Sequence, residues 1–182
     1  SNNDFRIGRS QSGRGTVTMD LNATIKGSGT ADDVSIGDQG DGFLVMNGQS
    51  KFTDVRNFGI ADNHLTSTGD VTMNGSSSIE ARVNFQVGRV GAGTITLNDN
   101  AQISALTTGP IRLGANDGAN GVIIMNGAGS GVNANGNIDV ASVAGRVSTA
   151  LFDQNNGTVY VSGGLTVGNA DVGNAATSHP VS

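Results

Sequence analysis

The densest group of potential metal ligands is acidic and lies in the first quarter of the chain. Asp32, Asp33, Asp38 and Asp41 fall within ten residues, and carboxylate oxygens from one turn and its neighbour can serve as calcium ligands. The Gly-Gly-x-Gly-x-Asp nonapeptide of calcium-binding solenoids does not occur in the sequence. We therefore favour a solvated acidic corner over a calcium site, and we expect no cofactor.

The two histidines are the other side chains whose type suits acid–base or metal chemistry. Neither His64 nor His179 has a second histidine at metal-ligand spacing, so both are interpreted as solvated polar residues. Cysteine is absent, which excludes disulfides and thiolate metal sites. These residues do not predict a catalytic centre.

Charge and hydropathy bear on the possible partners. The formal net charge is −5, and the 10 Lys and Arg residues are scattered rather than grouped with aromatic residues. Nucleic acid is therefore not an expected partner. No apolar run approaches the length of a membrane helix, so membrane insertion is not expected either. The chain begins with Ser1 and shows no signal peptide, which is typical of a mature or excised segment.

A short motif recurs along the whole chain. It reads apolar-polar-apolar followed by Gly or Ala, as in Phe5-Arg6-Ile7-Gly8 and Leu165-Thr166-Val167-Gly168. From Ile7 to Val167 the seven copies are separated by 29, 24, 27, 26, 27 and 27 residues. A constant period of this length with strand-like units predicts a solenoid.

Two further strand-like motifs occur in the same period. All four methionines fall at one position of the second motif, which ends with Asn or Asp. The third motif has an apolar residue about five residues after that Asn or Asp. Period-two alternation places one set of side chains inside. We predict one core containing Ile36, Met46, Ile60, Met73, Val87, Leu97, Leu113 and Met125. The fold class is therefore all-β, a three-sided parallel β-helix of about 6.5 coils of roughly 27 residues, with residues 1–182 as a single repeat array.

A polar residue follows each second strand, where a turn is expected. Asn and Asp suit such turns, and their side chains can form a ladder when they stack in register. The predicted corner ladder is Asp20, Asn47, Asn74, Asn98, Asn126 and Asp153. A row of metal-binding carboxylates is the alternative, but four of the six are amides. Asn63 is expected to lie outside the ladder and to tolerate substitution.

The outward positions of the second strand differ from those of the other two strands. They carry few charges and several large apolar groups, whereas the first and third strands present polar side chains. A contiguous patch of this kind indicates an interaction surface, although β-branched residues are also simply favoured in strands. The predicted lateral interface is Thr18, Phe43, Val45, Thr72, Thr94, Thr96, Val122 and Ile124.

Several segments resemble a known repeat. Phe85 to Leu97 (FQVGRVGAGTITL), Leu165 to Gly168 and Met125 to Ser130 are similar to the repeat shared by type V autotransporter passengers and PEP-CTERM surface proteins. The resemblance implies a β-solenoid on the outside of a bacterial cell, and it implies no catalytic residues.

Three classes of function remain open. The favoured hypothesis is a non-enzymatic extracellular or cell-surface solenoid, either a fibre subunit or an adhesin or stalk segment. Its uncovered end coils would stack head to tail, and lateral association of copies is a further contact that this hypothesis allows. The first alternative is an ice- or surface-binding module that uses the threonines of the second strand. The second is a polysaccharide-active enzyme, which would need paired carboxylates or a basic residue in a groove built by long loops. The short turns of this chain disfavour it.

Overall fold

The computed structural model describes residues 4–28, 31–141 and 147–168, together with the backbone of residues 175–177. In these ranges the chain forms strands and turns without a helix, and every strand pair is parallel. The strands stack as a β-solenoid of about six turns, which confirms the predicted fold class. Accordingly, the described ranges hold no helix long and apolar enough to cross a membrane.

The strands are short and follow one another without long connections. They are β1 (Phe5–Ile7), β2 (Arg14–Met19), β3 (Thr24–Lys26), β4 (Asp33–Ile36), β5 (Asp41–Met46), β6 (Lys51–Ile60), β7 (Thr68–Met73), β8 (Ser78–Val87), β9 (Ala92–Leu97), β10 (Gln102–Ala105), β11 (Ile111–Leu113), β12 (Asn120–Met125), β13 (Gly131–Ala134), β14 (Ile138–Val140), β15 (Thr149–Gln154), β16 (Thr158–Val161), β17 (Leu165–Val167) and β18 (Ala175–Thr177).

Each coil contributes three strand positions, as the repeats predict, but they are not everywhere separate. In β6 and β8 the third strand of one coil runs into the first strand of the next, which gives two strands of 10 residues. The pairing of these two strands shifts register between Phe52 and Val55 and again between Val55 and Asn57. Extra residues in one partner bend a strand in this way, so the corner of the coil is made by irregular strand rather than by a turn. The first and third positions consequently belong to one 11-stranded sheet, and the second position forms a 7-stranded sheet.

The core runs along the inside of the coils. Register places Ile36 beside Ile60 and Ile60 beside Val87, so equivalent apolar residues of successive coils are in contact. All eight predicted core residues are at most 1% exposed. The rings of Phe58 and Phe85 stack with centroids 5.3 Å apart, which extends the same regularity to the aromatic residues.

The residue after each first strand adopts a left-handed backbone conformation. It is glycine in most coils, but Ala61 has a φ of 54° and Ala141 a φ of 47°. At Gly88 the demand is also steric, since a Cβ there would lie 2.0 Å from the carbonyl oxygen of Asn120. The recurring Gly or Ala of the motif is thus explained by backbone conformation together with the close approach of the neighbouring coil.

Candidate functional site

The corner residues form a continuous ladder of side-chain amides. Each amide nitrogen donates to the side-chain oxygen of the preceding coil, over distances of 2.7 Å at the first step and 3.2 Å at the last. The members of the ladder are Asp20, Asn47, Asn74, Asn98, Asn126 and Asn155. Each inner member both donates and accepts a hydrogen bond. This bonding fits the structural ladder rather than the alternative of a row of metal-binding carboxylates.

The last member of the predicted ladder was wrong. Asp153 was assigned to the corner, but it pairs with Ile124 and lies on the outward side of β15, while Asn155 takes the corner position. The cause is the connection between β14 and β15, which has eight residues (141–148) where the preceding coil has six (114–119). These two extra residues shift β15 against the spacing on which the prediction depended.

The acidic cluster is divided among separate partners. Asp33 accepts two hydrogen bonds from the guanidinium of Arg56, at 2.6 and 2.9 Å, and a third from the amide of Asn57 at 2.9 Å. Asp32 accepts a hydrogen bond of 2.7 Å from the backbone N–H of Ser28. These two neighbours in sequence therefore serve different contacts.

The other two members of the cluster are equally occupied. Asp38 is completely buried and accepts hydrogen bonds from Arg6, at 2.9 Å, and from the amide of Asn63. Asp41 accepts a hydrogen bond of 2.7 Å from the hydroxyl of Thr68. Within the described ranges no three His, Cys, Asp or Glu side chains are grouped as metal ligands. The calcium hypothesis for Asp32, Asp33, Asp38 and Asp41 thus finds no support in the geometry. Asn63 lies outside the ladder, as predicted, but its hydrogen bond to Asp38 argues against the expected tolerance to substitution.

Ion pairs between adjacent coils are a feature that the sequence reading missed. Oppositely charged residues about one period apart face each other across the coil boundary, as in Arg82 with Asp54, 28 residues apart, and Arg89 with Asp62, 27 residues apart. The signal was available, because in register a spacing of one repeat puts two side chains side by side. These pairs fix the stacking of coils through complementary charge.

A polar cleft of about 290 Å³ lies where several of these groups meet. Its floor is Gly59, and Asp62 closes over that glycine, so that a Cβ there would come within 2.8 Å of the carboxyl carbon. Burial raises the pKa of the Asp62 carboxyl, an effect that the guanidinium of Arg89 opposes. Since Arg56 and Arg89 on its walls are paired with Asp33 and Asp62, the charges of the cleft largely neutralise one another.

The outward side chains of β2, β5, β7, β9, β12 and β15 form one surface, which we call the second-strand face. The six strands lie in this order in the sheet, and their side chains align in rows across it. Thr18 is exposed and the other seven residues of the predicted lateral interface are partly exposed. The guanidinium of Arg14 lies 4.7 Å from the centre of the Phe43 ring. The structure thus brings all eight predicted positions together on one side of one sheet.

Apolar residues are also uncovered at the two ends of the described coils. Leu165 and Val167 continue the core rows of Ile138 and Val140, yet they are 62% and 41% exposed. At the opposite end Ile7 and Met19 are buried, but three other inward-facing residues are only partly buried, and these are Phe5, Val17 and Ile25. β1, β2 and β3 pair on one side only within the described ranges. Each end therefore presents apolar side chains together with strand edges.

The histidines take no part in these arrangements. His64 is half-buried and its Nδ1 lies 2.9 Å from the Thr66 hydroxyl, and His179 lies outside the described residues. Comparisons of the chain with protein families, curated proteins and solved structures give no match.

Proposed function

We propose that this chain is a non-enzymatic structural β-solenoid that associates with further copies of itself end to end. The observation that carries the proposal is the incompletely covered core at both ends of the described coils. Leu165 and Val167 occupy core positions and remain accessible, and at the opposite end Phe5, Val17 and Ile25 are incompletely covered. Bringing the two ends together would remove these apolar groups from water, which is the main driving force for association.

The joint would repeat the contacts that already hold the coils together. Strand edges at one end can pair with strand edges at the other as parallel strands, because every coil uses the same pairing. Such a contact joins two different surfaces, so it leaves a free end after each addition and produces filaments rather than closed dimers. In this role the chain is a fibre subunit, or a stalk or adhesin segment.

An extracellular or cell-surface location is part of the same proposal. It is supported by the resemblance of the repeats to those of autotransporter passengers and PEP-CTERM surface proteins. The ladder of corner amides and the ion pairs between coils support a structural role, since they use polar side chains to fix one coil on the next. A rod of this kind bears load through many repeated contacts, and each coil depends chiefly on its neighbours.

Electron microscopy and sedimentation of the purified chain test the end-to-end contact. We expect filaments with a subunit rise of about 30 Å, from about six coils at about 4.8 Å each. Val167→Lys places a charge in the joint and should abolish the filaments. Val83→Lys is the matched control, because Val83 is 42% exposed against 41% for Val167 but lies on the side of the solenoid.

Three results would contradict the end-to-end contact. Filaments that persist in Val167→Lys, or that disappear in both variants, would contradict a joint at the ends of the coils. A chain that remains monomeric at every concentration would also contradict self-association, and would leave the stalk segment of a longer surface protein as the structural role.

The threonines of the second-strand face favour a second candidate, an ice- or surface-binding module. Thr72 and Thr96 are neighbours on adjacent strands, and Thr94 lies two residues from Thr96 on the same side. Regularly spaced hydroxyls on a flat sheet suit an ordered layer of water. Thermal hysteresis measurements decide this, with Thr96→Leu expected to remove the activity and Thr158→Leu, on an exposed third-strand position, expected to retain it.

A further inference from the structure

The apolar residues of the second-strand face are arranged symmetrically about its centre. Of the six strands that define this face, the second and the fifth, β5 and β12, carry the two apolar pairs, Phe43 with Val45 and Val122 with Ile124. Phe43 and Val122 occupy the same row, and Val45 and Ile124 the next row. The two central strands, β7 and β9, carry mainly threonine. A surface with this pattern is complementary to a copy of itself turned by half a rotation.

We propose that two copies of this chain pack with their second-strand faces together, about a two-fold axis that lies parallel to the strands between β7 and β9. This rotation reverses the order of the coils but keeps the strand direction. β5 of one copy therefore faces β12 of the other, β7 faces β9, and β2 faces β15. The contact is isologous, so it closes as a dimer, and it does not depend on the end-to-end joint proposed above.

In the two rows that contain the apolar pairs, the facing residues of β5, β7, β9 and β12 match in polarity. Phe43 faces Val122 and Val45 faces Ile124, and both contacts occur twice in the dimer. Asp70 faces the hydroxyl of Thr94, which can donate a hydrogen bond to its carboxylate.

The polar margins of the two faces are also compatible. Asp41 faces the amide of Asn120, and Asp153 faces the hydroxyl of Thr18, again placing a donor opposite a carboxylate. No like charges are brought opposite each other. Charge and polarity complementarity of this kind is what fixes the register of an interface.

The other two-fold arrangement of the same faces is disfavoured. An axis parallel to the solenoid and through the middle row of outward residues would bring every strand against its own copy, so Asp70 would face Asp70 and Asp41 would face Val45. Burial and the nearby Asp41 already raise the pKa of the Asp70 carboxyl in the single chain. A second carboxylate directly opposite would add repulsion in a less polar setting. The axis parallel to the strands separates these acids, because it places Asp70 opposite Thr94.

The size of the face sets the expected strength of the contact. Six strands spaced by about 4.8 Å and about six residues long give a face of roughly 29 by 20 Å, so two copies bury on the order of 1,100 Å². This is close to the lower limit for a specific interface, and most weak, transient interactions lie in that range. We therefore expect a reversible dimer with a dissociation constant in roughly the micromolar range.

Complementary charged variants of the full chain test the pairing. Val45→Lys and Ile124→Glu should each weaken dimerisation by about tenfold or more in sedimentation equilibrium, because each buries unpaired charges. An equimolar mixture should recover most of the loss, since the lysine of one copy then faces the glutamate of the other. Val83→Lys and Leu106→Glu, both exposed and outside the face, are the matched controls and should leave dimerisation unchanged.

Cross-linking gives a second readout that does not depend on affinity. The chain has no cysteine, and facing sheets lie about 10 Å apart, which is too far for a disulfide but within reach of a short bismaleimide. A mixture of Phe43→Cys and Val122→Cys should cross-link, whereas either variant alone should not, because its own copies are about three strands apart across the interface.

The proposal is overturned by any of three results: a wild-type chain that stays monomeric at millimolar concentration, single charged variants that dimerise like the wild type, or a mixture that neither recovers nor cross-links. Monomers whose ice-recrystallisation inhibition is lost in Val45→Lys would identify ordered water, rather than a second copy, as the occupant of the face.

Discussion

The side-chain amide of Asn74 donates a hydrogen bond of 2.9 Å to the side-chain oxygen of Asn47, the equivalent residue one coil earlier. Its own oxygen accepts one of 2.9 Å from Asn98, one coil later. A single side chain thereby connects three coils. The donor and the acceptor of the amide are both used, so removing it leaves the side-chain oxygen of Asn47 and the side-chain nitrogen of Asn98 unpaired.

Asn74→Leu should therefore destabilise the chain by about 1 to 3 kcal/mol, through the two lost hydrogen bonds and the groups that they leave unpaired. The free energy of unfolding from urea titration measures this. Asn22→Leu is a suitable control, because Asn22 is exposed in the first coil. Asn63 is not, since its amide donates to the buried Asp38 carboxylate. Equal losses at positions 74 and 22 would argue against the ladder as a stabilising element.

Met73→Asp should prevent folding. Met73 is completely buried in the continuous core, so the variant would place a carboxylate among apolar side chains at a cost of several kcal/mol in addition to the lost packing. Thr72→Asp changes the adjacent residue, which points outward, and should keep the fold. Far-ultraviolet circular dichroism and thermal melting distinguish the two. A Met73→Asp chain that melts like the wild type would show that the inside and outside of β7 have been exchanged.

Two glycines with the same backbone conformation should respond differently to alanine. Gly118 has a φ of 75°, and the nearest atom to an added Cβ is a Leu65 methyl carbon at 3.4 Å, so Gly118→Ala should cost only the left-handed conformation, about 1 to 2 kcal/mol. Gly88 has a φ of 63°, but its Cβ would lie 2.0 Å from the Asn120 carbonyl oxygen. Gly88→Ala should therefore cost clearly more. Equal melting temperatures for the two variants would mean that the backbone of the adjacent coil shifts to make room for the added Cβ at position 88.

The regular features of this fold were predictable from the sequence because each is repeated. The inward side chains of Ile60 and Val87 follow from alternation within a strand, and their contact follows from the period. The same reasoning gave the corner amides from Asn47 to Asn126. Their hydrogen bonds required only that equivalent residues stack in register.

The features that escaped prediction are those in which one coil departs from the next. Asp153 was misplaced because two additional residues precede β15, and a change in loop length shifts a strand without altering its alternation. Asn63 and Asp38 are 25 residues apart and therefore neighbours across a coil boundary, but neither belongs to a repeated motif, so the repeats do not pair them. The merging of strands in β6 depends on local irregularities that no repeat pattern encodes.

The last prediction concerns the opposite pH responses of two aspartates. Burial raises the pKa of Asp62, so the folded chain keeps this proton to a higher pH than the unfolded chain, which releases it near 3.9. The free energy of unfolding therefore falls as the pH rises from about 4 through the folded pKa of Asp62. The hydrogen bond from Arg6 lowers the pKa of Asp4. The stabilisation that the ionised Asp4 carboxylate provides is complete above the unfolded pKa and is lost as the pH falls through the folded pKa.

Asp62→Asn and Asp4→Asn isolate the two contributions, since each replaces a carboxyl by an amide of the same size. Urea titrations across the acidic range should show the wild type losing stability relative to Asp62→Asn as the pH rises above about 4. The wild type should lose stability relative to Asp4→Asn in the other direction, as the pH falls below that value. The two differences in the free energy of unfolding should therefore change in opposite directions with pH. A general effect of net charge would change both in the same direction. Parallel curves would show that burial does not penalise the Asp62 carboxylate.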